Sequence, residues 1–177
     1  MKKFIALLLV LTFGLSAVAF AAESPVLTNP PVVTDAKDAA GNPLVAAPVY
    51  DAQSLAELDA VAQSVSEGET ELEHFALSTE DTAKLEAQGV DLAALTVDEI
   101  MSITIGGYAV KPESVTLTLT FTVPYEVGTK VVVLMGVGAA PGPYQWTVEE
   151  GVVNADGTVT VTLTDFPEGP FILSILS

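Results

Sequence analysis

The feature that most constrains the fold is a strict two-residue alternation of apolar side chains with threonine. Residues 114–123, SVTLTLTFTV, place one serine and then four threonines at the even positions and apolar side chains at Val115, Leu117, Leu119, Phe121 and Val123. Residues 158–164, TVTVTLT, repeat the pattern. Because successive side chains of a β-strand point to opposite faces, each run predicts a strand with one buried and one solvent-facing side. This patterning is typical of an antiparallel sheet.

Residues 97–177 contain six segments that are rich in strand-forming residues and are separated by Gly, Pro, Asn or Asp. They read DEIMSITI, SVTLTLTFTV, KVVVLM, YQWTVEEGVV, TVTVTLTDF and FILSIL. KVVVLM has no polar face, which predicts a central strand. The run from Asn154 to Gly157 predicts a tight hairpin, because glycine adopts the positive φ that such turns need. Several short strands with regular turn signals indicate a β-sandwich.

Residues 51–96 predict one or two short helices and an acidic segment that pack on the sandwich. In SLAELDAVAQSV, Ser54 followed by Glu57 matches a capping box, and apolar residues recur every three or four positions. STEDTAKLEAQG begins with a candidate N-cap, Ser78 or Thr79, and ends at a glycine. Between these helices, EGETELEHFALS alternates acidic with other residues and predicts a strand.

Residues 1–21 predict a signal peptide. Lys2 and Lys3 precede an apolar run, and Ala19-Phe20-Ala21 supplies the small residues that favour cleavage after Ala21. An uncleaved membrane anchor is the alternative, although the apolar core is short for a membrane span. Residues 22–50 are rich in Pro and Ala, which predicts a linker or a loose hairpin. We therefore expect a protein that is secreted, extracellular or loosely associated with the cell surface.

The charge of the chain is strongly one-sided. Its formal net charge is −17 and becomes −19 without the two leader lysines, and it contains no arginine and no cysteine. Such a chain repels phosphate backbones and anionic lipid surfaces, so we expect neither nucleic acid nor membrane as a partner after signal cleavage. Without disulfides, a secreted domain depends on its hydrophobic core.

The C-terminal strands resemble a small Ig-like β-sandwich module of secreted and cell-surface proteins of Gram-positive anaerobes. The matching features are GTKVVVL, Trp146 within YQWTV, the DGTV hairpin and a last strand opened by Gly169-Pro170-Phe171. TAKLEAQGVDLAAL resembles the short helix that precedes this module. The similarity covers about the last hundred residues and departs from the pattern at the long loop GVGAAPGP. It implies a fold and an extracellular location, and no catalytic residues.

Motifs for catalysis are weak. Gly136-Val137-Gly138 follows a strand as in a dinucleotide fingerprint, but the position of the third small residue is Pro141 and a strand follows, which favours a hairpin loop. His74 is the sole histidine, and neither a G-x-S-x-G elbow nor a cysteine accompanies it. We therefore expect no enzymatic activity and no cofactor.

The acidic alternation raises the question of a metal site. In a strand, the carboxylates of Glu67, Glu69, Glu71 and Glu73 would share one face at a spacing of about 7 Å, and such oxygens suit Ca²⁺. No D-x-D-x-D-G loop is present, so a solvated acidic face is the favoured interpretation and no metal ligand is assigned.

Tyr144 and Trp146 are the candidate ligand-binding residues. Two positions apart on a predicted strand, they project from the same face beside the glycine-rich loop, as a stacking platform for a sugar or a partner side chain would. The alternative is that Trp146 fills the sandwich core and Tyr144 covers its edge.

These observations predict a mainly β (α+β) protein, an antiparallel Ig-like β-sandwich preceded by short helices. The function we expect is that of a non-catalytic structural, adhesion or interaction module at the cell exterior. A small carbohydrate- or Ca²⁺-dependent binding protein is the alternative. A cell-wall component, a surface component or another protein would then be the partner.

Overall fold

The computed structural model describes residues 29–138 and 143–177 and contains eight strands and three helices within them. The predicted signal peptide lies outside the described residues. The strands are β1 (Val32–Asp38), β2 (Val45–Val49), β3 (Val97–Gly106), β4 (Ser114–Thr120), β5 (Val132–Val137), β6 (Gln145–Val153), β7 (Val159–Thr164) and β8 (Phe171–Leu176). The helices are α1 (Ala52–Glu67), α2 (Glu71–His74) and α3 (Thr79–Ala87). The predictions of a mainly β fold and of all six C-terminal strands are confirmed.

The strands form one antiparallel sheet in the order β1-β4-β7-β6-β5-β8-β3-β2. The central position predicted for KVVVLM is confirmed, since β5 pairs with β6 on one side and β8 on the other. β1 and β2 meet at the bridge between Lys37 and Pro43, so the two ends of the sheet approach each other and the sheet is nearly barrel-shaped. Residues 22–50, expected as a linker or loose hairpin, thus contribute both edge strands.

A bend in β6 joins the two halves of the sheet. Residues Gln145–Glu149 pair with β5, and residues Glu150–Val153 pair with β7. At the bend the carboxylate of Glu149 accepts hydrogen bonds from the Thr164 backbone N–H at 3.1 Å and from the Thr147 hydroxyl at 3.2 Å. The buried Glu149 side chain therefore satisfies a backbone donor of β7 at the place where β6 leaves that strand.

The first hydrophobic core lies inside the curved sheet. The apolar side chains of the two alternating strands are fully buried there: Val115, Leu117, Leu119, Val159, Val161 and Leu163. Their threonine neighbours are half-buried or exposed, as the alternation predicts. One expectation was wrong, since Val123 is 79 % exposed. β4 ends at Thr120, so Val123 belongs to the following loop and no longer follows the pleat of the strand.

The second core lies between the outer face of the sheet and the helices. It contains Val61 of α1, Leu72 of α2 and Leu85 of α3 together with Ile100, Leu134 and Ile172 of the sheet. Strands β3, β5 and β8 are therefore buried on both faces, because the helices cover one and the first core covers the other. The contacts that residues 51–96 make are thus with this outer sheet face.

The start of α1 differs from the sequence expectation. The N-cap is Asp51, and Ser54 is the third residue of the capping box: Asp51 accepts from the Ser54 N–H at 2.9 Å, and the Ser54 hydroxyl accepts from the Asp51 N–H at 3.0 Å. Glu57 takes no part in the cap. Asp51 is the better cap here because its carboxylate also accepts a hydrogen bond from the Ser102 hydroxyl of β3 at 2.7 Å, which ties the helix to the sheet.

The strand predicted for EGETELEHFALS was wrong. Residues 71–74 form the short helix α2, whose N-cap Thr70 and third residue Glu73 build a reciprocal capping box. Local capping bonds and the burial of Leu72 and Phe75 against the second core prevail over the alternation of acidic residues. The four glutamates consequently do not share one strand face.

Ser174 offers a test of the second core. Its hydroxyl is fully buried on β8 and has no hydrogen-bond partner within the described chain. Removing a buried hydroxyl without a partner relieves its desolvation penalty, so we expect Ser174→Ala to raise the free energy of unfolding by about 1 kcal/mol. Urea unfolding monitored by circular dichroism measures this change.

Ser102→Ala is the matched control, because Ser102 is equally buried but donates to Asp51. This variant is expected to lower the free energy of unfolding by about 1 kcal/mol. A loss of stability in both variants would show that the Ser174 hydroxyl has a partner after all.

Candidate functional site

A groove of about 570 Å³ lies beside the bend in β6. One wall is α3 with the residues that follow it, and the others are residues 128–132, which lead into β5, and residues 148–153 of β6. Leu85, Val132 and Val148 belong to the second core and form the apolar part of this lining. Its volume is within the range of small-ligand sites. We identify this groove as the candidate binding site of the described chain.

The charges on the groove are of both signs. Lys130 and Glu150 are exposed and line it, and within the described residues neither makes an ion pair. Lys84 also lines the groove, but its ammonium lies 3.2 Å from Glu80 and 3.6 Å from Asp81. A lysine without an ionic partner is notable in a chain of net charge −17.

The neighbouring glutamates of β6 have different roles. Adjacent strand residues point to opposite faces, and here Glu149 is buried and bonded to Thr164, whereas Glu150 is exposed at the groove. Burial raises the pKa of the Glu149 carboxyl, and hydrogen bonds from Thr164 and Thr147 offset this only in part. Glu149 therefore shapes the groove through the bend, and Glu150 is available to a ligand.

Tyr144 and Trp146 lie on the helix-facing side of the sheet and are not part of the groove lining. Their ring centroids are 5.5 Å apart, and Trp146 makes an edge contact with Phe75 at 4.8 Å. The indole ring also covers Gly136, where a Cβ atom would lie 2.6 Å from Trp146 Cζ3. The two side chains are half-buried and pack on the second core rather than the first. Their role as a ligand platform stays a prediction.

The loop next to this pair, residues 136–144, is only partly described, since residues 139–142 lie outside the described ranges. Burial comes first among the causes that raise the pKa of the Tyr144 hydroxyl, and the carboxylates of Glu57 and Asp51 add to it. The negative charges of α1 thus lie close to the tyrosine end of the pair.

His74 belongs to a half-buried polar network between α1 and α2. Its Nε2 is 2.7 Å from Glu57 Oε1, and its Nδ1 is 2.9 Å from the Ser64 hydroxyl. Because the carboxylate only accepts, Nε2 carries the proton in the neutral ring and Nδ1 accepts from Ser64. Both ring nitrogens are satisfied, so the network holds α1 on α2. The sequence alone does not identify Ser64 and Glu57 as the partners of His74, because they lie 10 and 17 residues away in the chain.

Two tyrosine–carboxylate pairs occur where β3 begins. The Tyr125 hydroxyl donates to Asp98 at 2.9 Å, and the Tyr50 hydroxyl donates to Glu99. Burial raises the pKa of Glu99, the hydrogen bond from Tyr50 lowers it, and the nearby Asp98 raises it further.

Within residues 29–138 and 143–177, no three His, Asp or Glu side chains are placed so that they could hold a metal ion.

Sequence reasoning missed the groove, although Gly151 is a signal for it. A glycine inside a strand often marks a bend or a close backbone approach. Here a Cβ atom on Gly151 would lie 2.8 Å from the Val133 side chain, so a larger residue at this position would displace Val133. The path of residues 128–132 decides which side chains lie opposite this bend. Strand periodicity does not specify that path.

Comparisons with protein-family models, with curated proteins and with solved structures find no match to this chain. Within the part of the chain that the structure describes, no helix has the length and apolar character needed to cross a membrane.

The contact between Gly136 and Trp146 can be tested through the sole tryptophan. In Gly136→Ala, the new methyl group displaces the indole ring, so we expect a loss of about 1–3 kcal/mol of stability and a red shift of tryptophan emission. Fluorescence and urea unfolding measure both effects. Gly106→Ala is the control, because no atom lies within 4 Å of a Cβ there. Unchanged emission in Gly136→Ala would contradict the contact.

Glu149 predicts a specific dependence of stability on pH. Its folded-state pKa is raised, so the native chain binds this proton more tightly than the unfolded chain does. The contribution is largest below the unfolded pKa of about 4.3 and is lost as the pH rises through the native pKa. Burial raises the pKa of Asp51, but several hydrogen bonds to its carboxylate outweigh burial and lower the pKa. Asp51 therefore stabilises the fold above its ordinary pKa, and this contribution is lost in stronger acid.

We therefore expect the free energy of unfolding to be highest at mildly acidic pH. Urea titrations at a series of pH values measure this profile. Glu149→Gln is expected to flatten the decline between mildly acidic and neutral pH, whereas Glu150→Gln, an exposed neighbour, should keep it. Equal profiles in these two variants would mean that Glu99, whose pKa burial also raises, or overall charge repulsion causes the decline, and not Glu149.

Proposed function

We propose that the protein is an exported, non-catalytic interaction module that acts at the cell exterior. The groove beside β6 carries this proposal, because an apolar lining with a few polar groups at its rim is the usual build of a binding site. The signal-peptide pattern of residues 1–21 supports an extracellular location. The Ig-like character of the fold is part of the same proposal and is supported by the resemblance of the C-terminal strands.

Binding of carbohydrate is the second candidate. Tyr144 and Trp146 support it, because two neighbouring aromatic rings on one face are a common way to bind a sugar ring. Trp146 already contacts Phe75 and Gly136, so a sugar would have to use the part of the indole ring that these contacts leave accessible.

Binding assays with the chain that begins at residue 22 test the proposal. We expect retention on a cell-wall preparation from a Gram-positive bacterium, because an interaction module needs a partner at that location. A glycan panel is the second arm. Lys130→Glu should reduce retention if the groove is used, and Trp146→Ala should reduce glycan binding if the aromatic pair is used.

Lys37→Glu is the control with the same change of charge, since Lys37 lies on β1 outside the groove lining. Lack of binding to both the cell-wall preparation and the glycan panel would refute the interaction module. Retention that survives Lys130→Glu and Trp146→Ala would assign the interaction to another surface.

A further inference from the structure

We propose that the groove binds a short, apolar, extended peptide with free termini, which pairs with the open edge of β6. This inference names the ligand class of the groove and thus rests on the proposed function. It depends on three features of the same place: unpaired strand backbone, apolar lining and two opposite charges.

The backbone argument starts from the pairing of β6 with β7. The Asn154 N–H donates to the Thr158 carbonyl at 2.8 Å, and the register continues through Val152 opposite Thr160. Since backbone groups of an antiparallel strand point alternately to its two sides, Val152 faces β7, whereas Gly151 and Val153 face the other side.

That other side has no strand beyond the bend. The pairing of β5 with β6 ends at Val133 opposite Glu149. Within the described residues, no backbone hydrogen bond connects Gly151 or Val153 to the segment 128–131. The N–H and C=O groups of these two residues therefore have no backbone hydrogen-bond partner within the described residues, and both residues line the groove. An extended peptide can supply the missing partners, as in recognition by β-strand addition.

The side chains suit an apolar peptide. Leu85, Val132 and Val148 contribute apolar lining, and the Val152 side chain is 49 % exposed at the same site. A peptide strand alternates its side chains, so one set can cover this lining while the other faces water. Burial of small apolar side chains would then add to the backbone hydrogen bonds.

The rim charges suit free termini. Lys130 and Glu150 are exposed, line the groove and are not within ion-pair distance of each other. The carboxylate of a peptide C-terminus would be attracted to the Lys130 ammonium, and its N-terminal ammonium to the Glu150 carboxylate. A peptide with both termini free has no net charge from them, so the strongly negative chain does not repel it. A purely anionic ligand would be repelled by the net negative charge of the protein.

The test uses the tetrapeptide Ala-Val-Ala-Val with free termini and the chain from residue 22 labelled with ¹⁵N. We expect saturable chemical-shift changes that include the amides of Gly151 and Val153. A peptide of the same sequence with N-methylated backbone amides should bind about tenfold more weakly, because it cannot pair with the strand edge. An acetylated and amidated peptide should also bind more weakly.

Protein variants identify the charge contacts. Lys130→Glu and Glu150→Lys should each weaken binding of the free peptide about tenfold and leave binding of the blocked peptide unchanged. Lys37→Glu, which changes the charge by as much outside the groove, should have no effect on either peptide. The folding of each variant is checked by its circular dichroism spectrum and by the amide signals of β7 and β8.

Three results would overturn the proposal: no shift changes at residues 150–153, equal binding of the N-methylated peptide, or equal binding by Lys130→Glu. These failures are distinct from failure of the proposed function. If cell-wall retention persists while the peptide does not bind, the interaction module stands and the peptide ligand is wrong.

Discussion

The bend of β6 is the constraint on which the rest of the structure depends. One strand pairs first with β5 and then with β7, so both halves of the sheet share a continuous backbone and enclose the first core. Such a bend leaves backbone groups without ladder partners. Glu149 satisfies the one at Thr164 from inside the fold, and Gly151 allows the close approach of Val133. The same bend leaves the backbone N–H and C=O groups of Gly151 and Val153 without partners in the described chain, and both residues line the groove.

The helices complete this arrangement from the other side of the sheet. The hydrogen bond from Ser102 to Asp51 fixes the start of α1 on β3, and the network of Glu57, His74 and Ser64 holds α2 against α1. The helices cover an otherwise exposed apolar sheet face and bury Trp146 in part. α3 also forms a wall of the groove, so the groove depends on the packing of the helices as well as on the bend.

The sequence predicted the strands well and the site poorly. Six strands, the Asn154–Gly157 hairpin and the burial of every second residue from Val115 to Leu119 follow from periodicity and turn chemistry, which act over a few neighbouring residues. The prediction was wrong where a local pattern competed with burial, as in α2, and where a strand ended earlier than its pattern, as at Val123. Lys130 and Glu150 carry no motif, so only their shared groove identifies them.

The sequence by itself determined the six C-terminal strands and the buried faces of β4 and β7, because alternation specifies the side of the pleat and glycine, proline and asparagine specify the turns. It also determined a strongly negative chain held without disulfides. The tertiary structure decided which strands are neighbours, that β6 serves both halves of the sheet, and that residues 128–132, 148–153 and α3 enclose a groove. The physical reason is that strand pairing and helix docking depend on contacts between residues far apart in the chain, which local periodicity does not encode.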